Sequence, residues 1–456
     1  MNRSEEMGTR PILWLLGKFA IPSIFSLVLH ALYNIVDRIF IGQGVGSLGL
    51  AGVTLCFPIL LFVFGFCLLF SSGSSSLISL LLGKQQKDKA EEVFGNTFAI
   101  MTITAIIITV FGLFFYEPIL RILSVSNQVY PHAKDYLQTI FSGCIFFFYG
   151  FFLTFVIRAE GNPLYATIMM VVATIVNVIL DPIFIFLLHM GTGGAALATI
   201  ISEAVIVLMG LFYIMRKHGL LHLRRKYLHF NWPNIGQIVY LGLSPALMDI
   251  GACLQVSILN SRLVRYGGDQ ALAAMGIVFS ITSLIALFTF GMAAGMQPLI
   301  GYNYGAKNYK RVKKIFYYAC FSTVAILLFG VFAIIMFSEN ISSLFCRNDP
   351  ELIKLSAHGL RIFVFMYPLV GFQILGTRYF QSIGKGLHSV MIGLSRQLFI
   401  FIPVLYILSG MFGVEGVWFS SPLAEVLAST VTMIFLVREM ENLNRMRKHS
   451  PEVKGA

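Results

Sequence analysis

The chain has 456 residues, 57% of them hydrophobic and only 12% charged, with a mean hydropathy of +0.81. No soluble domain needs that much apolar surface, so the composition excludes a soluble enzyme or binding module and predicts a polytopic helical membrane protein. The net charge of +12 would suit nucleic acid, but the basic residues cluster in alternate loops between apolar runs, where they report topology instead.

The N-terminus, MNRSEEMGTRPILW, has no small-residue cleavage site behind a short apolar core, so no removable signal peptide is expected. Twelve runs follow, each long enough to cross a bilayer: 13–41, 51–82, 94–117, 136–157, 164–188, 193–215, 235–264, 270–302, 313–337, 357–382, 388–410 and 414–437. Of the 33 Lys and Arg, 24 fall in the segments that include both termini, such as Arg10, Lys84, Arg216, Lys217, Lys310, Lys385, Arg447 and Lys454. The opposite loops hold six: Arg121, Lys134, Arg262, Arg265, Arg347 and Lys354. Positive loops stay inside, which places both termini in the cytoplasm of a multi-pass protein of the cytoplasmic (inner) membrane. The even number of spans requires the same.

An internal repeat runs at an offset of 222 residues. Gly46-Ser-Leu-Gly-Leu-Ala51 aligns with Gly268-Asp-Gln-Ala-Leu-Ala273. The same shift pairs Gly73 with Gly295, Gly83 with Gly305, Gly194 with Gly416 and Glu203 with Glu425. Each half has six spans, so both enter from the same side, as parallel repeats about an axis along the membrane normal. The predicted fold is all-α, twelve transmembrane helices in two parallel six-helix repeats. The expected divisions are an N-lobe at 1–215, a basic cytoplasmic linker at 216–234, a C-lobe at 235–438 and a cytoplasmic tail at 439–456. The linker, RKHGLLHLRRKYLHFNWPN, reads as a tether held near anionic headgroups.

Charged groups in hydrocarbon cost at least ~3 kcal/mol on insertion scales, so they are rare and usually functional. Tyr33 and Asp37 share a face of span one, with Asn34 beside it; Asn177 and Asp181 share a face of span five; Thr199 and Glu203 share a face of span six. With the termini inside, Asp37, Asp181 and Thr199 all fall in the outer half of the N-lobe. Two carboxylates, an amide and a hydroxyl make an oxygen-rich cage for Na+, or for a proton shared between two acids. The structural alternatives are an interfacial Asp37 whose neighbour Arg38 snorkels outward, and a helix-end Asp181 before Pro182. Glu203 and Glu425 suit a substrate-facing or proton-relay role, or an inter-helix hydrogen bond. Asp249, mid-span in span seven, can pair with a cationic substrate or with a partner such as Arg396. The six cysteines lack CxxC spacing and read as small core residues. There is no Walker A sequence, HExxH, Cys/His cluster, nucleophile elbow or selectivity filter, so no cofactor is expected, and ATP-driven transport, common membrane-enzyme chemistry and a channel are disfavoured.

At LYNIVDRIFIG in span one, NVILDPIFI in span five and PLIGYNYGAKNYKRVKK after span eight, the chain resembles the multidrug and toxic compound extrusion (MATE) family, over essentially its whole length. The resemblance implies an antiporter that expels amphipathic organic cations and takes up H+ or Na+ by alternating access, with the lipid bilayer as its surroundings and no nucleic-acid partner. It implies ion coupling at Asp37, Asn177, Asp181 and Thr199, and a bend on protonation at Pro22. Some relatives carry a further acidic pair in the C-lobe; Asp249 does not match it, and span ten, YPLVGFQILGTRYFQ, has no acid. Since the site forms within one chain, a monomer is expected. The rivals are a lipid-linked oligosaccharide or lipid flippase of the same superfamily, whose cationic cavity the sparse intramembrane arginines do not supply, and a membrane-bound enzyme.

Overall fold

The computed structural model describes residues 3–123, 126–216, 219–345 and 349–449. Lys217, Cys346, Arg347 and Lys454 lie outside the described residues. All regular structure within them is helical, as lipid demands: a backbone in hydrocarbon must satisfy its own polar groups. The first six spans are α1 (Ile12–Gly44), α2 (Ser47–Gly83), α3 (Lys87–Ile122), α4 in two pieces (Tyr130–Ser142 and Cys144–Ala159), α5 (Pro163–Pro182, continued by a π-helical turn at Ile183–Leu187) and α6 (Gly191–Met215). The second six are α7 (232–267), α8 (269–305), α9 (Tyr309–Met336), α10 in two pieces (Pro350–Val364 and Tyr367–Ser382), α11 (Gly386–Phe412, with a π-helical segment at Ser395–Ile400) and α12 (Val414–His449).

Among the described residues, nine helices are long and apolar enough to span, and the two bent pairs make eleven. Residues 232–305 hold two spans broken at Gly268, which completes twelve. Several helices start well before the apolar runs because polar caps begin them. Asn308 and Asp349 accept from the backbone N–H of Arg311 and Leu352 at 3.3 and 3.0 Å, starting α9 and α10 ahead of residues 313 and 357.

The backbone repeats as the sequence does. Positive φ occurs at Gly46 and Gly268, at Gln85 and Lys307, and at Gly191 and Gly413, each pair 222 residues apart. Gly46 and Gly268 combine positive φ with ψ of −170° and −161°, a region essentially reserved for glycine. That explains two sharp joints, α1 to α2 and α7 to α8. The bends within α4 and α10, of 54° and 46°, also fall at corresponding places.

The described residues form two compact units. Unit one comprises Phe25–Gly242 with the residues up to Glu6; unit two comprises Met7–Ile24 and Leu243 onward. The boundaries therefore differ from 1–215 and 235–438: the first part of α1, with Pro22, clusters with unit two, and the linker with the start of α7 clusters with unit one.

The linker is a strap docked on the helices of unit one, a set of contacts that its reading as a tether did not anticipate. Arg224 reaches buried Glu91 of α3 at 2.7 Å and Asp88 at 3.4 Å. Asn96 donates to the carbonyls of Tyr227 and His229 at 3.1 and 2.9 Å, and Asn231 donates to Glu92 at 2.7 Å. Glu160, just past the end of α4, accepts from the backbone N–H groups of Leu220 and Leu221, both at 3.1 Å. Burial pushes the Glu160 carboxyl up to about 7, against the opposing pull of these hydrogen bonds and of Lys87. Basic charge read from composition could not reveal this, because the partners of the strap are acids and amides some 60 to 140 residues away.

Candidate functional site

Within unit one, α1 and α5 run side by side and in the same direction. Ser26 of α1 donates to Thr167 of α5 at 3.0 Å. At their other ends, a Cβ on Gly44 would come within 2.3 Å of Ile185, and Phe40 meets Phe186 edge-on at 6.1 Å. The glycine at 44 is what lets α1 approach the π-helical turn of α5 this closely. From Ser26 to Gly44 and from Thr167 to Ile185 are equal stretches of chain, so the two helices keep register. That register sets Asp37 level with the turn that carries Asn177 and Asp181.

The polar groups at this level are buried: Asp37 is 7% exposed, Asn177 1% and Asp181 0%. Asn177 Nδ2 donates to Asp181 Oδ1 at 3.5 Å, a long bond. Asp181 lies within electrostatic reach of Asp37, and Tyr136 of α4 is within reach of both. Tyr33 lies within electrostatic reach of Asp37, Glu203 and Tyr136. Glu203 is also buried, one turn from Thr199 on α6, with its Oε2 against Gly150 of α4. Thr199 donates to the carbonyl of Ala195 at 3.1 Å, which leaves its oxygen lone pairs able to accept.

Four acceptor atoms here are buried without a hydrogen-bond partner: Asp37 Oδ1, Asn177 Oδ1, Asp181 Oδ2 and Glu203 Oε2. An unsatisfied buried acceptor costs about 1–3 kcal/mol, more when charged. A group of them on three neighbouring helices is what a cation or a proton would satisfy, and aliphatic packing alone would not retain it.

Not every expected residue joins the cluster. Asn34 is exposed and donates to the carbonyl of His30 one turn back, at 2.7 Å. Pro22 sits in the part of α1 that belongs to unit two. In unit two, Arg396 pairs with Glu425 at 3.0 Å, so Arg396 is not the partner suggested for Asp249. Asp249 is exposed on α7 and lies within electrostatic reach of Arg378 of α10. Cys253 is exposed and Cys320 half-buried, whereas Cys56, Cys67 and Cys144 are buried. The core reading therefore holds for those three, and lipid makes an outward thiol equally tolerable.

The repeat sharpens the contrast between the two acids. Glu425 has Arg396; the residue 222 places before Arg396 is Thr174, so Glu203 has no cation at the matching position. The sequence reading missed Tyr136. Its signal was available, since a tyrosine within one turn of the outward start of span four lies at the depth predicted for Asp37.

The MatE family profile matches residues 22–183 and 253–407. The multidrug export protein MepA of Staphylococcus haemolyticus is 30% identical over 424 residues, covering 93% of each chain. MepA of Staphylococcus aureus strain MSSA476 is 29% identical, covering 94% of this chain and 95% of its own. Among solved structures, a MATE protein in complex with MaL6 superposes with a TM-score of 0.91 at 23% identity, covering 98% of this chain and all of that one. An outward-facing multidrug resistance MATE transporter of the MOP superfamily superposes at 0.89 and 23% identity, covering 98% of this chain and 97% of that one.

Proposed function

The chain belongs to the MatE family, and on that premise we propose that it exports amphipathic organic cations, multidrug efflux, in exchange for H+ or Na+. It is a membrane transporter and not an enzyme. The observation that carries the coupling reading is the group of partnerless buried oxygens on Asp37, Asn177, Asp181 and Glu203. In this reading Asp37, Asn177, Asp181 and Thr199 bind the incoming ion, and Glu203 relays a proton or faces the substrate. Sodium, if it is the ion, is cargo. The rings of Tyr33 and Tyr136 beside the acids suit a flat organic cation.

The ion and the drug act on one equilibrium between access states. Each shifts it only by its difference in affinity for the two states. A filled acid cluster favours one state, and an organic cation favours the other. The termini face the cytoplasm of the inner membrane, and one chain suffices.

The test is efflux of ethidium from proteoliposomes holding the purified protein. A pH gradient and a Na+ gradient are imposed separately. Efflux driven by at least one gradient, and absent when neither is imposed, is expected. No efflux under either gradient from folded protein would overturn the reading and direct the work to lipid-linked substrates.

A further inference from the structure

Within unit two, the start of α9 and the end of α12 enclose a cavity of about 180 Å³. Its wall is cationic: Lys310, Lys313 and Lys314 come from α9, and Arg447 from α12. Lys313 is fixed by donating to the Met440 carbonyl at 2.7 Å and to Asn444 Oδ1. None of the ion pairs among the described residues involves Lys310, Lys314 or Arg447. Four like charges around one small space repel one another until an anion enters.

Two tyrosines join them. Tyr309 and Tyr317 line the same cavity, and each hydroxyl can donate to an anionic oxygen. The volume is below the ~300 Å³ at which pockets for drug-sized ligands begin, so this is no second drug site. It is large enough for a phosphodiester with a small polar substituent.

What lies beside the cavity decides the source of that phosphate. Tyr317 is 58% exposed, and Phe321 and Leu328 continue the same face of α9 at 76% and 55%. An apolar stripe leads away from the basic mouth along the helix, as acyl chains would. A soluble phosphate would have no use for it. The distribution of Lys and Arg also puts this mouth on the cytoplasmic side, the level at which headgroups sit. Basic pockets between spanning helices on that side are suited to anionic headgroups.

We propose that the cavity between the start of α9 and the end of α12 binds the phosphate headgroup of an anionic phospholipid, with Lys310, Lys314 and Arg447 on the phosphate and the acyl chains along Tyr317, Phe321 and Leu328.

The test is native mass spectrometry of the full chain, titrated with phosphatidylglycerol or with zwitterionic phosphatidylethanolamine. Three proteins are compared: the native chain, Lys310→Gln/Lys314→Gln/Arg447→Gln, and Lys84→Gln/Lys89→Gln/Arg225→Gln, which removes the same charge elsewhere. Phosphatidylglycerol should bind in preference to phosphatidylethanolamine. Its affinity should fall ~10-fold or more in the cavity variant and little in the control. A charge-preserving Lys310→Arg/Lys314→Arg variant should retain it. Equal losses in both triple variants, or no preference for the anionic lipid, would overturn the site. Displacement of the lipid by equimolar glycerol 3-phosphate would show a soluble anion as the ligand and equally overturn it. Should the cavity variant not fold, hydrogen exchange on the native protein decides: phosphatidylglycerol slows exchange across 309–317, and unchanged exchange contradicts the proposal.

Discussion

At the residue scale, the contrast that matters is between two buried acids in matching positions. Glu425 is neutralised by Arg396, whereas Glu203, with Asp37 and Asp181 nearby, takes part in no ion pair among the described residues and has Oε2 without a hydrogen-bond partner. The two groups should respond to substitution in opposite ways. Asp37→Asn and Asp181→Asn should each leave the protein folded and reduce ion-driven ethidium efflux by roughly 10-fold or more. Native efflux rates in both variants would remove these residues from the coupling site. Glu425→Gln should do the reverse. It strands the Arg396 guanidinium in a largely buried place, at a cost of up to ~3 kcal/mol, and the double variant Arg396→Gln/Glu425→Gln should recover most of it. Thermal unfolding in detergent reads both effects; a fully additive double variant would show that the pair does not matter.

Much of this cluster was legible in the sequence because intramembrane acids are scarce. Asp37 and Asp181 stand out against their apolar neighbours, and helical spacing assigns Asn177 to the face of Asp181. Spacing does not tell which way a helix is turned. Asn34 is one residue from Tyr33 and yet is exposed, and Arg396, one of the partners considered for Asp249, pairs with Glu425 instead because packing between helices decides such partners.

At the element scale, two joints and one strap shape the fold. Gly46 and Gly268 hold backbone conformations that a side chain tolerates poorly. Gly268→Ala should destabilise by ~1–3 kcal/mol, while Gly330→Ala, in α9 with open space around it, should be neutral or stabilise by up to ~1 kcal/mol. Similar unfolding temperatures for the two would show that the backbone conformation at the joint does not require glycine. The strap should respond to pH through Glu160. Its carboxyl titrates at about 7 when docked, above its ordinary value of 4.5, so the docked state binds a proton more tightly than the released state does. Docking is therefore strongest in acid and weakens as pH rises through about 7. Hydrogen exchange of the Leu220–Leu221 segment, corrected for its intrinsic pH dependence, should speed up between acidic and alkaline buffer. Glu160→Gln should flatten that change; an unaltered profile in this variant would assign the effect to another group. The spans themselves were readable from hydropathy. The bends in α4 and α10 and the π-helical turns were not, since apolar composition is the same in a straight helix and a bent one.

At the scale of the whole molecule, the duplication seen in sequence reappears in the backbone at one offset, yet the two copies have diverged in charge. Unit one keeps Asp37, Asp181 and Glu203 outside any ion pair among the described residues, whereas in unit two Glu425, the counterpart of Glu203, is paired with Arg396. In the proposed function, this asymmetry makes unit one the place where an ion and an organic cation compete. The most direct measurement is ethidium binding to the purified protein in acidic and alkaline buffer, with and without Na+, for the native chain and for Asp37→Asn. H+ or Na+ should weaken binding to the native protein, and Asp37→Asn should remove this dependence. Binding that ignores both ions in the native protein, or that keeps the full dependence in Asp37→Asn, would contradict the proposed function.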